Sequence, residues 1–111
     1  MDHDFSTHLT DAERERLALL LEEAGEVQQV IGKILRHGYE SYNPYLPPPA
    51  GDTNRGLLMK ELGDFFAATK LMMAADDISD AVITERAKQK LHRVWQWLHF
   101  QPDEFAKKVD Q

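Results

Sequence analysis

Two short acidic clusters stand out as groups that could do chemistry. The first is Glu22-Glu23-Ala24-Gly25-Glu26 and the second is Glu61-Leu62-Gly63-Asp64. Glu23 and Glu26 are three residues apart, as are Glu61 and Asp64. On a helix that spacing puts each pair on one face. Two antiparallel helices carrying these pairs can aim four carboxylates at one point. Four converging carboxylates cannot all stay ionised without cations among them. Oxygen-only ligands suit hard ions, here Mg²⁺ or Mn²⁺. The plainer reading is a solvated acidic face, which is what most glutamate clusters on helices are. Position argues against it in part. Glu23 borders the apolar stripe of its helix, Glu61 shares a sector with Leu58, Leu62, Phe65 and Ala68, and Asp64 lies at that sector's edge. Acidic groups facing a core are costly unless paired or metal-bound.

Rival chemistries have no residues to carry them. Cys is absent, so thiolate ligands and Cys nucleophiles are excluded. The five His are scattered, with no H-E-x-x-H and no E-x-x-H, which counts against zinc and against a di-iron carboxylate bundle. No Gly-rich phosphate loop and no nucleophile elbow occur. Lys33 lies beyond Glu26 on the same face and Arg36 off to one side, where an anionic ligand bridged through a cation would want positive charge. Arg86, Lys90, Arg93 and Trp97 form a separate three-four stripe. Ordinary surface charge is the commoner reading of both groups.

The elements that must position these side chains are helices. Thr10-Asp11-Ala12-Glu13 fits a capping box, no Pro follows until after His37, and Gly38 is a natural stop. Leu17, Leu20, Ala24, Val27, Ile31 and Ile34 make one apolar stripe on that first helix. Residues 1–9 read as a loose leader. Residues 38–53, with Pro44, Pro47, Pro48, Pro49 and Gly51 interleaved with Tyr39, Tyr42 and Tyr45, read as a loop without regular structure. A loop of this length is expected to be more mobile than the helices and to lie near a ligand. A second helix is expected from about Thr53 to Ala75, a third from about Asp80 to His99 before Pro102, and a short one from Asp103 to Val109. No alternating strand pattern and no internal repeat are present. The fold class is all-α: a helical bundle of three main helices plus a short C-terminal helix, in a single domain over residues 1–111. Helix two has one apolar face of Leu58, Leu62, Phe65 and Met72, widened by Phe66, Met73 and Met59 on one side and by Leu57 and Leu71 on the other. That is more than a three-helix chain can cover, so a second subunit is expected, in a homodimer or tetramer.

Thirteen Lys+Arg against 19 Asp+Glu give a net charge of -6, which argues against nucleic acid and against an anionic membrane surface as partners. No apolar run approaches the length of a membrane span. Met1-Asp2-His3-Asp4-Phe5 does not read as a signal peptide, and a cytoplasmic location is expected.

The Glu22-Glu23-x-x-Glu26 cluster, followed on the next long helix by Glu61-x-x-Asp64, resembles the E-E-x-x-E and E-x-x-D motif of the MazG-like, all-α nucleoside triphosphate pyrophosphohydrolases. The resemblance covers about residues 13 to 100. It extends to Lys33-x-x-Arg36-His37-Gly38, to Asn54-Arg55, and to the Lys90-Leu91 to Trp97-Leu98 segment, which is similar to the end of short phage and bacterial members. Residues 27 to 60 depart from it, because the Pro-rich loop makes them long for the family. The resemblance implies cleavage of a (deoxy)nucleoside triphosphate between the α- and β-phosphates, giving the monophosphate and pyrophosphate, as in house-cleaning of the nucleotide pool. It implies Glu23, Glu26, Glu61 and Asp64 as Mg²⁺ ligands, with Glu22 a further ligand or a base that orients the water. Lys33 and Arg36 become phosphate contacts, and Asn54, Lys90 and Trp97 further substrate contacts. Tyr39, Tyr42 or Trp97 could stack on the base. The competing reading is a non-catalytic helical interaction module, in which the acids are a surface and helix two docks a partner.

Overall fold

Thr10 starts the first helix through a reciprocal pair of hydrogen bonds. Its hydroxyl accepts from the Glu13 N–H (3.1 Å), and the Glu13 carboxylate accepts from the Thr10 N–H (2.9 Å). Helix α1, Asp11–His37, then runs uninterrupted to Gly38. Gly38 has φ 88°, a backbone region that favours glycine, and its N–H donates to Ile34 O at 2.7 Å. These positions belong to a computed structural model that describes residues 6–109. The Met1–Phe5 stretch read above for targeting, and with it the first half of the leader, lies outside the described residues.

Helix α2, Asn54–Ala74, begins at Thr53, whose hydroxyl accepts from the Gly56 N–H at 3.1 Å. The start of α1 meets the segment after α2, where Arg16 Nε donates to Asp77 Oδ2 at 2.6 Å and Arg16 Nη2 to Asp77 Oδ1 at 3.1 Å. The end of α1 meets the start of α2. The two helices are therefore antiparallel, and Val30, Ala68 and Met72 are buried in this pair. The Arg16 guanidinium holds the Asp77 carboxyl below its usual range.

The loop between them is better ordered than its composition implies. The Asn54 N–H donates to Ser41 O and the Arg55 N–H to Tyr39 O, both at 2.8 Å, and Tyr42 and Thr53 form an antiparallel bridge. These bonds satisfy the first donors of α2, which no intrahelical carbonyl can reach. The buried Asn54 side chain donates to Gly38 O at 3.1 Å, closing the neck of the loop. Arg55 adds an ion pair to Glu40 (2.7 Å) and sits 4.3 Å over the Tyr39 ring. The prolines lie between Asn43 and Ala50, away from this neck, so they remove none of its donors.

Inside the loop the Gly51 N–H donates to Pro47 O at 3.1 Å, and a Cβ on Gly51 would run into the carbonyl oxygen of Leu46. Backbone cannot move aside as a side chain can. Gly51→Ala is therefore expected to destabilise the protein by more than about 1 kcal/mol, read as a lowered urea midpoint. An unchanged midpoint would mean that residues 46–51 adapt.

Residues up to Asp77 form one compact unit and residues from Ile78 a second. In the second, helix α3 spans Asp80–Arg93 and starts at Ser79, whose hydroxyl accepts from the Val82 N–H. The expected continuation to His99 does not occur. A single 3₁₀ turn, Val94–Trp97, follows, and Leu98 is extended. Val94, Trp95 and Trp97 are weaker helix formers than the Leu, Lys and Arg before them. Trp95 instead meets Phe105 edge-on, with ring centroids 5.8 Å apart, and so ties the turn to helix α4, Asp103–Val109. The fold is all-helical, and among the described residues the one β pairing is the Tyr42–Thr53 bridge. Among the described residues no helix is long and apolar enough to cross a membrane.

Candidate metal centre

Glu23 and Glu26 are one turn apart on α1, and Glu61 and Asp64 one turn apart on α2. Antiparallel pairing brings the two turns face to face. One carboxylate oxygen from each of the four residues lies within 4.8 Å of the others. Glu23, Glu26 and Glu61 are half-buried and Asp64 is exposed. Among the described residues it is the one group of three or more His, Asp or Glu that converges in this way.

The cluster is not balanced by donors. Glu23 Oε2 and Glu61 Oε2 are shielded from solvent and have no hydrogen-bond partner. A buried acceptor without a donor carries a desolvation penalty, larger for a charged group. The Glu61 carboxyl is pushed above its usual range, chiefly by its contact with Glu26, then by burial, then by the charges of Glu26 and Asp64. Such a group is relieved by a proton or by a cation. Four oxygen ligands of this kind fit a hard divalent ion, so the residues present suit a metal.

The other sequence-designated residues divide. Glu22 is exposed and lies outside the converging set. Lys33 lies two turns beyond Glu26 and lines a cavity of about 330 Å³ with His37, Tyr42, Asn43, Asp52 and Asn54. Arg36 is exposed and is not among the cavity's walls. Asn54 both walls the cavity and closes the loop neck, so it has a structural task first. Tyr39 has its ring covered by Arg55, whereas Tyr42 faces the cavity. Lys90 and Trp97 belong to the second unit, where both are exposed.

Asn43 and Asp52 were not singled out by the sequence reading. They sit in an aperiodic loop, and only the hydrogen bonds at its neck bring them beside α1. The Thr53 cap ahead of α2 was the one local sign that the loop's far end is fixed. Comparison with known proteins finds no matching protein family, no matching curated protein and no matching solved structure.

Proposed function

We propose that the chain is a Mg²⁺-dependent nucleoside triphosphate pyrophosphohydrolase, converting a (deoxy)nucleoside triphosphate to the monophosphate and pyrophosphate. The observation that carries this reading is the convergence of Glu23, Glu26, Glu61 and Asp64 within 4.8 Å, with two buried carboxylate oxygens lacking any donor. These four residues would hold the ion. Bound Mg²⁺ supplies charge neutralisation and Lewis acidity at the triphosphate. Lys33, on the same face of α1, adds positive charge where the phosphate chain extends toward the cavity. Glu22 adjoins Glu23 and is open to solvent, and it takes the remaining role of the motif, accepting a proton from the attacking water. Such an enzyme acts on the cytoplasmic nucleotide pool.

Calorimetric titration with Mg²⁺ and with Mn²⁺ tests the site. Saturable binding is expected for the natural protein and its loss for Glu23→Gln. A protein that uses its acids only as a docking surface shows no saturable binding that depends on Glu23.

The reading includes a homodimer or a dimer of dimers. Leu21, Leu35, Met59 and Phe66 are 75%, 82%, 63% and 63% exposed, on the two helices that carry the acids. Apolar surface of this extent is a usual mark of an interface. Light scattering at micromolar concentration is expected to give at least twice the 12.8 kDa of one chain. A mass of one chain would contradict the assembly.

A further inference from the structure

None of the four converging acids lines the cavity at the end of α1, yet it lies on the same helix pair. Lys33 is seven residues beyond Glu26, and Asn54 is seven before Glu61. Because the helices are antiparallel, both displacements run the same way, by about 10 Å at 1.5 Å per residue. A phosphate and a sugar span a gap of that order. The cavity's 330 Å³ falls at the small end of small-molecule sites, about 300–1,000 Å³, and has room for one heterocycle rather than for a macromolecule.

Its walls match that occupant. Tyr42 offers an aromatic face, and Leu46 and Leu57 are apolar. Asn43 and Asp52 add an amide and a carboxylate from the loop, beside Lys33, His37, Ser41 and Asn54, and such polar groups among apolar walls orient a ligand. Lys33 occupies the side toward the carboxylates, where a phosphate belongs. The pocket is also held open by construction. The neck bonds of Asn54 and Arg55 fix the loop against α2, and the close approach of Gly51 to Leu46 fixes its fold.

We infer that this cavity is the base pocket of the nucleotide site, with Tyr42 as the stacking wall and Asn43 and Asp52 as the groups that meet the base edge. The inference rests on the nucleotide reading of the neighbouring carboxylates, but its test does not. Nucleoside monophosphate is added to the ¹⁵N-labelled full chain in excess chelator, so that no metal assists binding. Amide shifts confined to the cavity walls, Lys33, His37, Tyr42, Asn43 and Asp52 among them, are expected. Tyr42→Ala is expected to weaken that binding about 10-fold, the typical loss of one base–aromatic stack. Tyr42→Phe, which keeps the ring, is expected to stay within about 3-fold of the natural protein. A far-ultraviolet dichroism spectrum confirms that each variant keeps its helices. Absence of shifts at millimolar monophosphate overturns the inference, as does equal weakening by Phe and Ala. Pyrophosphate release with Mg²⁺ and no shifts in the cavity would leave the hydrolase reading standing and place the base elsewhere. Shifts in the cavity without any pyrophosphate release would keep the pocket and remove the hydrolase.

Discussion

Replacing Glu61 by Gln is expected to lower the rate of triphosphate hydrolysis by about 100-fold or more, which is roughly 2.7 kcal/mol of transition-state stabilisation. Gln keeps the size of the side chain and removes its charge. Glu61 touches Glu26, and its Oε2 is buried without a donor. An amide there removes one of the four carboxylates proposed to hold the ion and places N–H groups among the other three acids. The measurement is kcat/KM by pyrophosphate detection at fixed Mg²⁺, with dichroism to show that the helices persist. A loss of less than about 10-fold would mean that the carboxylate does not act on the reacting phosphates.

The second large effect is on stability, and it depends on both cation and pH. Saturating Mg²⁺ at neutral pH is expected to raise Tm by on the order of 10 °C, because the ion binds the folded site and not the unfolded chain. The Glu61 carboxyl is held above its ordinary value of 4.5 by Glu26, burial and Asp64. A folded-state value above the unfolded one gives a contribution that is fully present below the unfolded pKa and lost as pH rises through the folded one. Without metal, this cluster therefore weakens the fold as pH climbs from the ordinary carboxylate range. Asp77 works in the opposite sense. Arg16 holds its carboxyl low, so its contribution is present above the unfolded pKa and is lost as pH falls through the folded one. The metal-free protein should accordingly be most stable in mildly acidic solution, and Mg²⁺ should abolish the decline toward neutrality. Glu61→Gln without metal should be at least as stable as the natural protein at neutral pH, and should gain little from the cation. Melting curves in chelator and in Mg²⁺ check both. A natural protein indifferent to Mg²⁺ would show that the four acids hold no ion, and a metal-free Gln variant that melts much lower would show that they do not repel one another.

The helix starts were legible because caps are local. Thr10 with Glu13, Thr53 and Ser79 each lie within three residues of the donor they satisfy, and Gly38 ends α1 where it was expected. The meeting of the acids was legible for a related reason: a three-residue step on each of two antiparallel helices defines a common face. Glu22 lies outside the four acids that this spacing selects, and it is outside the converging group too. The end of α3 was misread because the apolar spacing continues past Arg93, while the Trp95–Phe105 contact that redirects the chain joins residues with no shared period. The Arg16–Asp77 pair and the loop neck were hidden for the same cause. Their partners are brought together by the fold alone, and nothing in their types or spacing marks them. The pocket beside Lys33 is the consequence of that neck, so it too could be seen only in three dimensions.

The most direct measurement is ³¹P NMR of a nucleoside triphosphate incubated with the protein and Mg²⁺. Equal amounts of monophosphate and pyrophosphate are expected, with neither formed in excess chelator or at a comparable rate by Glu61→Gln. Orthophosphate with the diphosphate, or the same products at the same rate from Glu61→Gln, would contradict a pyrophosphohydrolase built on these four acids.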